Sequence, residues 1–495
     1  MSGGLDTRGG AGSVAADLDD LRRTADATDR TGDVLRQLGA AAGRSATDGD
    51  LLATLPLSPT TGARAQSALA GAAARLLAAS LRVEAGARGL RAVAAAFAAR
   101  DAAVAVRGRV VDRARGRAVL GVGLAGTALG GAALFVGAGV REVAGAARDL
   151  LPGGDGPDAA RRRLRDALGT AAADTREGLA AAWTEALLRW PAVTDASVVG
   201  LGDLAGEVVG RPLSHEETVT LLVHLGGLVG WFDDGTGLRA THVTPTEDER
   251  RASPLPRDLT QVLDGIASVG TLASADSEGS RVRVLRVPGV DGRDAFVVQV
   301  PGTQAWGLSG GVDPADLTAN LWLSGPEDAH LLDGIEAALR AADAGPTDPV
   351  MVAGHSQGGI AAAAFAAQAE ARGLRVTHVV TFGSPIAHVD VPPHVHVLAV
   401  EHHTDPVPRL DGAENPATAR WLTVTADPHT ATPLASPRDA HHLGEHRATA
   451  SRIDASTHPS VVAWRESAAP FLRGGGRVPA AAEALDTILR REPSR

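Results

Sequence analysis

The sequence predicts an α/β fold with a mostly parallel sheet, preceded by a largely α-helical N-terminal half. From Val282 onward, runs with strand-like alternation and runs with helical spacing follow one another. That order is typical of a parallel sheet with helices on both faces. The short apolar run 350–353 suits a buried parallel strand. Residues 13–107, in contrast, carry apolar residues at helical spacing among charges, which predicts helices.

The first of these helices is expected over 13–46 and the second from about 63 to 107. The proline-bearing segment 56–62 predicts a turn, so the two should form an antiparallel hairpin. The second helix ends in Phe97 and Asp101, and resembles the Tyr-x-x-x-Asp export signal of helical-hairpin substrates of type VII secretion. Phe97 stands where the tyrosine is usual. The resemblance implies contacts with a secretion machinery or its chaperone; the alternative is an ordinary helix with Phe97 in a local core.

Residues 118–140 contain no charge and are long enough to cross a bilayer. Gly126 and Gly130 have the small-residue spacing that lets membrane helices approach closely. If the segment spans, the arginines before it place the C-terminal half outside the cell. The alternative is a glycine-rich helix buried in the N-terminal half. Residues 1–20 lack the apolar core of an ordinary signal peptide. The resemblance to an export signal and the apolar segment 118–140 nevertheless lead us to expect a secreted or envelope-associated protein, with a cytoplasmic one as the alternative.

Composition narrows the chemistry of the 495-residue chain. The net charge of −10 does not favour a nucleic-acid partner. The absence of cysteine excludes disulfides, thiolate zinc sites and cysteine nucleophiles. Neither a cofactor nor a bound metal is expected.

Shifts in composition divide the chain into five predicted parts. They are a helical hairpin (1–110), a glycine-rich apolar segment (111–150), a helical region (151–260), a catalytic domain (261–475) and a tail (476–495).

The catalytic domain begins with a predicted hairpin between 282 and 300, in which Asp291-Gly292 gives the turn signal. A helix over 327–342 comes next. After strand 350–353, the remaining elements are a helix and two strands, expected over 358–371, 375–382 and 394–400.

Strand 350–353 runs into Gly354-His-Ser356-Gln-Gly358, a G-x-S-x-G sequence followed by an alanine-rich helix. Strand, sharp turn and helix is the context of a nucleophile elbow, and the glycines allow the tight turn. We therefore predict that Ser356 is a nucleophile at the carboxyl end of the strand. The alternative is a glycine-rich turn with an incidental serine.

A serine nucleophile needs a base oriented by an acid, in the chain order serine, acid, histidine in α/β-hydrolases. Asp405 follows strand 394–400, and Asp390, Asp411 and Asp427 are alternative acids. The order G-H-S-Q-G-G, then T-F-G-S-P at 381–385, then D-P-V-P-R-L from Asp405 resembles the class-3 lipases. This resemblance covers roughly residues 280–465. It implies an α/β-hydrolase fold, Asp405 as the triad acid, and acyl esters or phospholipids as substrates.

The same resemblance places the base and the oxyanion turn. His441 matches the family's histidine, with His442 and His446 as alternatives. Val300-Pro-Gly-Thr303 matches the family's R-G-T/S turn, with Pro301 where arginine is usual. The backbone N–H groups of Thr303 and Gln357 would hold the oxyanion. Trp306 and Trp322, which follow that turn, would line an acyl pocket or pack in the core.

The predicted function is therefore a serine ester hydrolase of lipase or phospholipase type, which uses Ser356, Asp405 and His441. Its partners would be a lipid or another acyl ester, and a membrane contacted through 118–140. A different class stays open: a membrane-active or interaction protein in which the helical N-terminal half acts and the hydrolase domain is secondary or inactive.

Overall fold

The computed structural model describes residues 5–95 and 211–494 apart from short gaps, of which 473–483 is the longest, and several residues between 149 and 163. It divides into two compact units, residues 12–109 and the remainder of the chain. Each unit is described by itself below. Most of 111–150, including 118–140, and also Phe97 and Asp101 lie outside the described residues. Among the helices that are described, none is long and apolar enough to span a membrane.

The smaller unit is a helical hairpin. Helix α1 (Val14–Ala46) is followed by the short α2 (Gly49–Thr54) and by α3, which is helical over 60–92. Asp48 caps α2, because its carboxylate accepts hydrogen bonds from the first backbone N–H groups. α1 and α3 run antiparallel: Ser80 Oγ donates to the carbonyl oxygen of Gly32 at 2.8 Å, and Arg91 pairs with Asp26 at 2.8 Å near the other end.

The larger unit contains a nine-stranded sheet in the order β1-β8-β7-β6-β5-β4-β3-β9-β2. β4 to β8 are parallel, and the strands on both flanks are antiparallel. The strands are β1 (Leu5–Gly9), β2 (Gly237–Val243), β3 (Ser280–Pro288), β4 (Asp294–Val300), β5 (Pro349–His355), β6 (Arg375–Phe382), β7 (His396–His402), β8 (Trp421–Ala426) and β9 (Ala484–Glu492).

Helices cover both faces of the central strands. Because side chains alternate along a strand, Phe296 and Val298 of β4 enter one core and Val297 enters the other. Helix residues such as Ile335 and Phe365 pack into the first of these cores. From residue 211 onward, the described residues of this unit form the helices α4 (His215–Gly227), α5 (Glu247–Ala252), α6 (Leu259–Ala275), α7 (Leu317–Ser324), α8 (His330–Ala341), α9 (Gln357–Gln368), α10 (Leu443–Asp454) and α11 (Pro459–Ser467).

This is the α/β-hydrolase fold that the sequence predicts. Four strands were not expected: the edge strands β1 and β2, together with β8 and β9. Leu5–Gly9 pairs with β8 instead of joining the hairpin, Gly237–Val243 is a strand in the region taken as helical, and Ala484–Glu492 is β9 instead of a tail. In β9 the prediction failed because the charges of Asp486 and Arg491 hide the apolar alternation, although both side chains are buried.

Asp486 makes a buried ion pair between β9 and β3. Arg283 of β3 donates from Nε to Asp486 Oδ1 at 2.6 Å and from Nη2 to Oδ2 at 2.8 Å, and both side chains are fully buried. Arg281 adds a contact to Oδ2 at 3.2 Å. A buried charge that loses its partner is costly, so this pair fixes the register of β9 on β3.

Replacing Asp486 with Asn should destabilise the fold by about 3 kcal/mol, since it leaves the buried Arg283 guanidinium without a counter-charge. Urea denaturation of the full chain measures the effect. The matched control is Asp264→Asn, which breaks an exposed pair with Arg447 and should cost about 1 kcal/mol or less. Equal losses for the two variants would contradict the structural role of the buried pair.

Candidate active site

Ser356 lies between β5 and α9, at the carboxyl end of a central strand. Its backbone has φ 54° and ψ −123°, a strained conformation for a residue with a Cβ. The turn is tight because a Cβ on Gly358 would lie 2.2 Å from the carbonyl oxygen of Val300. Ser356 N–H donates to the carbonyl oxygen of Phe382 at 2.9 Å, which ties the turn to β6. The geometry is that of a nucleophile elbow.

Asp405 and His441 form a hydrogen-bonded pair. Asp405 follows β7 and is fully buried, and its Oδ2 accepts a hydrogen bond from His441 Nδ1 at 2.8 Å. The other carboxylate oxygen accepts from the backbone N–H of Val407 at 2.9 Å, which fixes the plane of the carboxylate. Because Nδ1 carries the proton of this hydrogen bond, Nε2 of the neutral His441 ring has a lone pair that could act as a base.

The alternative residues occupy different environments. The side chain of His442 is 67% exposed and faces Asp439, whereas His446 is fully buried with Nε2 3.6 Å from Asp405 Oδ2. Among the alternative acids, Asp390 and Asp427 are exposed. Asp411 is buried and accepts from the backbone N–H of Ala387 at 2.8 Å, so it holds a loop.

Burial and charge set the ionisation of this cluster. Burial opposes the ionisation of Asp405, but the neighbouring imidazoles of His441 and His446 outweigh it and hold its pKa below the usual value. Burial lowers the pKa of His446, and it lowers the pKa of His402 to about 4. Burial, followed by the charges of His441 and His446, also lowers the pKa of His355.

His355 and His402 hold the turn that carries His441. His355 Nε2 lies 3.0 Å from the carbonyl oxygen of His441, and His402 Nδ1 lies 2.6 Å from that of Ala440. A carbonyl only accepts, so both nitrogens are donors. These roles are not predicted from the sequence. The available signal was position: His355 adjoins the serine, and His402 ends the strand before Asp405.

His446 packs against the same cluster. Its ring stacks on His402 with centroids 4.2 Å apart, and neither ring nitrogen has a hydrogen-bond partner among the described residues. Its ligating atom and those of His355 and His441 all lie within 4.8 Å of one another, so the three could hold a metal ion. An ion bound through His441 Nε2 would occupy the lone pair that a base needs.

Gly383, which follows β6, lies beside Asp405 and His441, and the residue before it contacts the Ser356 turn. Gly383 has φ +61°, and a Cβ there would lie within 2.9 Å of Asp405 Oδ2 and His441 Nδ1. The preceding residue, Phe382, accepts the hydrogen bond of Ser356 N–H. Within the described part of the chain, Ser356 Oγ makes no hydrogen bond. Catalytic hydrogen bonds are often long before substrate binds.

The turn after β4 lies against the elbow. A Cβ on Gly302 would be 3.3 Å from Ser356 Cβ, so the residues next to Gly302 border the nucleophile. In the described residues, the backbone N–H of Thr303 has no acceptor. Gln357 opens α9, where the first N–H groups have no partner within the helix. Both predicted oxyanion donors are therefore free to bind a developing negative charge.

The two tryptophans after this turn differ. Trp322 is partly buried on α7 and donates from Nε1 to the carbonyl oxygen of Phe232 at 2.9 Å. It packs against the core. Trp306 is 52% exposed and, with the exposed Val312, places apolar surface on the loop that follows the oxyanion turn.

The fold and this site define the class, an α/β-hydrolase with a serine elbow. Residues 326–406 match the family model of the thioesterase domain, which supports a hydrolase that acts on acyl esters. The matched region contains Ser356 and Asp405 and ends before His441. No curated protein and no solved structure matches the chain. The resemblances to class-3 lipases and to type VII secretion substrates gain no support from these comparisons.

Gly383→Ala should abolish most activity and destabilise the fold, because the new Cβ would push apart Asp405 and His441. A displacement of about 1 Å in such a site costs roughly 100-fold in rate. Gly373→Ala is the matched control: its φ is +66°, and its nearest neighbour is the flexible end of Arg340 at 3.6 Å. Initial rates on an ester substrate would distinguish them. Equal activities would contradict the crowding at Gly383.

The stability of the catalytic unit should depend on Glu401, the residue before His402. Burial raises the pKa of Glu401 to about 7. Between its ordinary pKa and 7, the folded protein holds a proton that the unfolded chain has lost, so stability falls as pH rises through this range. Glu401→Gln should remove that loss, with an advantage of up to about 3 kcal/mol at pH 8 compared with pH 4. Urea denaturation at both pH values measures it. An advantage that does not grow with pH would contradict the prediction.

Proposed function

We propose that the chain is a serine hydrolase in which Ser356, His441 and Asp405 form the triad and Thr303 and Gln357 form the oxyanion hole. The observation that carries the proposal is the 2.8 Å hydrogen bond from His441 Nδ1 to the buried Asp405, next to the strained Ser356 turn. Strain of this kind exposes a nucleophile and is otherwise avoided.

The reaction follows from the positions of these groups. Ser356 Oγ attacks the acyl carbon while His441 Nε2 takes the hydroxyl proton, and the charge on the carbonyl oxygen is held by the two backbone N–H groups. His441 then gives the proton to the leaving oxygen or sulfur. Water attacks the acyl-enzyme by the same route and restores Ser356. Asp405 holds the tautomer of His441 and stabilises its cation throughout.

The proposed substrates are acyl esters with an apolar chain, of lipase or phospholipase type, with acyl thioesters as the alternative. The exposed Trp306 and Val312 beside the oxyanion turn support an apolar acyl group. The thioesterase family match supports the thioester alternative. The triad serves either substrate, since both have an acyl carbon and a leaving group that accepts a proton.

For the helical N-terminal half we propose a carrier role, as a docking module for a secretion machinery or chaperone. The exposed large apolar residues of the described hairpin include two on α1 and two on α3, and each pair is spaced four apart so that it shares one helix face. They are Val34, Leu38, Leu77 and Leu81. Replacing these four residues with Ser or Gln should abolish export of the full chain if the module works as proposed.

Hydrolysis of p-nitrophenyl esters of short and long acyl chains, and of an acyl-thioester, tests the enzymatic proposal. Ser356→Ala should lower kcat by about 10⁴-fold or more on the preferred substrate. Ser451→Ala, an exposed serine on α10, is the control and should keep full activity. Wild-type protein without hydrolysis on any of these substrates, or an active Ser356→Ala variant, would refute the proposal.

A further inference from the structure

The loop that contacts both proposed oxyanion residues is held by an arginine of the last strand. We propose that Arg491 is a positioning residue for the oxyanion hole, acting through Asp316 on the side chains of Gln357 and Thr303. The inference rests on the proposed function, because it assigns a role in the same reaction. Arg491 lies in β9, on the far side of β3 and β4 from the nucleophile strand.

The first contact joins Arg491 to Asp316. Nη1 donates to Asp316 Oδ2 at 2.6 Å and Nη2 donates to Oδ1 at 2.9 Å, a fork in which both side chains are buried. The opposite side of the guanidinium binds Asp234 Oδ1 from Nε at 2.9 Å and from Nη2 at 2.7 Å. Such bidentate pairs fix orientation as well as distance.

Arg491 also holds the loop before Asp316. Its Nη1 donates to the carbonyl oxygens of Gly311 at 3.0 Å and Asp313 at 3.3 Å. Its backbone N–H donates to the carbonyl oxygen of Val312 at 2.7 Å. One residue therefore anchors several backbone positions of this loop together with the carboxylate that begins α7.

The second contact joins Asp316 to Gln357. The carbonyl oxygen of Asp316 accepts from Gln357 Nε2 at 2.5 Å, and its Oδ1 caps α7 by accepting from Ala319 N at 3.0 Å. The backbone N–H of Gln357 is one proposed oxyanion donor. Its side chain, buried beside the nucleophile, is thus tied to the residue that Arg491 grips.

The other donor is held by the same segment. Asn320 Nδ2, one turn into α7, donates to Thr303 Oγ1 at 3.1 Å. Gln304 N–H donates to the carbonyl oxygen of Ala315 at 2.7 Å, and Leu317 N–H donates to that of Ala305 at 3.1 Å. Residues 303–305 are thereby pinned to 315–317, and both proposed donors share one support.

Charge explains why the arginine matters to geometry. Asp234 and Asp316 are buried on either side of one guanidinium, so without it two carboxylates would face each other. Like charges in a low-dielectric site repel strongly, and the loop would move to relieve them. A shift of about 1 Å in a catalytic group costs roughly 100-fold in rate.

The chain offers a matched control on the same strand. Arg283 and Asp486 form an equally buried two-pronged pair at β9. No hydrogen bond of either residue reaches 303–320 within the described residues. Losing this pair should destabilise the fold without moving the oxyanion turn.

The experiment compares Arg491→Lys with Arg283→Lys in the full chain. Lysine keeps the charge but cannot make the fork. We expect Arg491→Lys to lower kcat by about 10- to 100-fold with KM unchanged, since only the oxyanion geometry is lost. Arg283→Lys should lower Tm to a similar extent and leave kcat unchanged. Labelling of Ser356 by a fluorophosphonate, which develops an oxyanion-like charge, should slow in parallel with kcat.

Gln357→Leu provides a second variant, whose result does not depend on whether the Arg491→Lys protein folds. It removes the hydrogen bond to Asp316 and also removes Oε1, which is buried without a partner. We expect Tm to be unchanged or higher while kcat falls. Full kcat in Gln357→Leu, or an equal kcat loss in Arg283→Lys and Arg491→Lys, would overturn the inference. If the wild type does not hydrolyse any of the test substrates, or if Ser356→Ala is active, the proposed function itself is refuted.

Discussion

The close approach of the Ser356 turn to the end of β4 is the constraint on which the site depends. A Cβ on Gly358 would lie 2.2 Å from the oxygen of Val300 and 2.5 Å from that of Pro301. β4 and β5 are adjacent parallel strands, so their carboxyl ends meet at one edge of the sheet. Glycine removes the one atom that would hold the turns apart. The distance between nucleophile and oxyanion turn is therefore set by backbone contact, which side-chain motion cannot relax.

The proposed triad also requires that one imidazole acts as the base although three others lie close to it. Burial lowers the pKa of His355, His402 and His446, so these rings remain neutral near pH 7. Asp405 stays ionised among them. Of these four rings, His441 is the one that lies at hydrogen-bond distance from this carboxylate, with Nδ1 2.8 Å from Asp405 Oδ2. The neutral neighbours contribute hydrogen bonds and packing without competing for the proton.

The sequence predicts the parts of the molecule in which local pattern and final environment agree. The predicted parallel strands carry runs of apolar residues, such as 350–353 in β5, and the elbow and the loop of Asp405 carry short motifs whose backbone requirements are explicit. His441 was predicted as the base with His442 and His446 as alternatives, because spacing along the chain does not say which ring reaches a carboxylate. His355 and His402 were missed for a similar reason, since their partners are backbone carbonyls.

The strand β9 was missed because two of its inward residues are charged. Asp486 and Arg491 are typical of a solvated tail until their partners, Arg283, Asp234 and Asp316, are known. No local pattern can reveal a pair separated by some two hundred residues, such as Arg283 with Asp486. Burial of a charge is decided by tertiary contact alone.

The two ion pairs of β9 have different consequences although they are alike in burial and geometry. Arg283 and Asp486 join two neighbouring strands, so their energy stabilises the sheet edge. Arg491 reaches out of the sheet to the loop of Asp316, and its energy is therefore coupled to the position of residues that contact Gln357 and Thr303. β9 itself is held by its pairing with β3, two strands away from β5, which carries the Ser356 turn at its end. Under the proposed role of Arg491, the geometry of the oxyanion hole therefore depends on strand pairing outside the strand that carries Ser356.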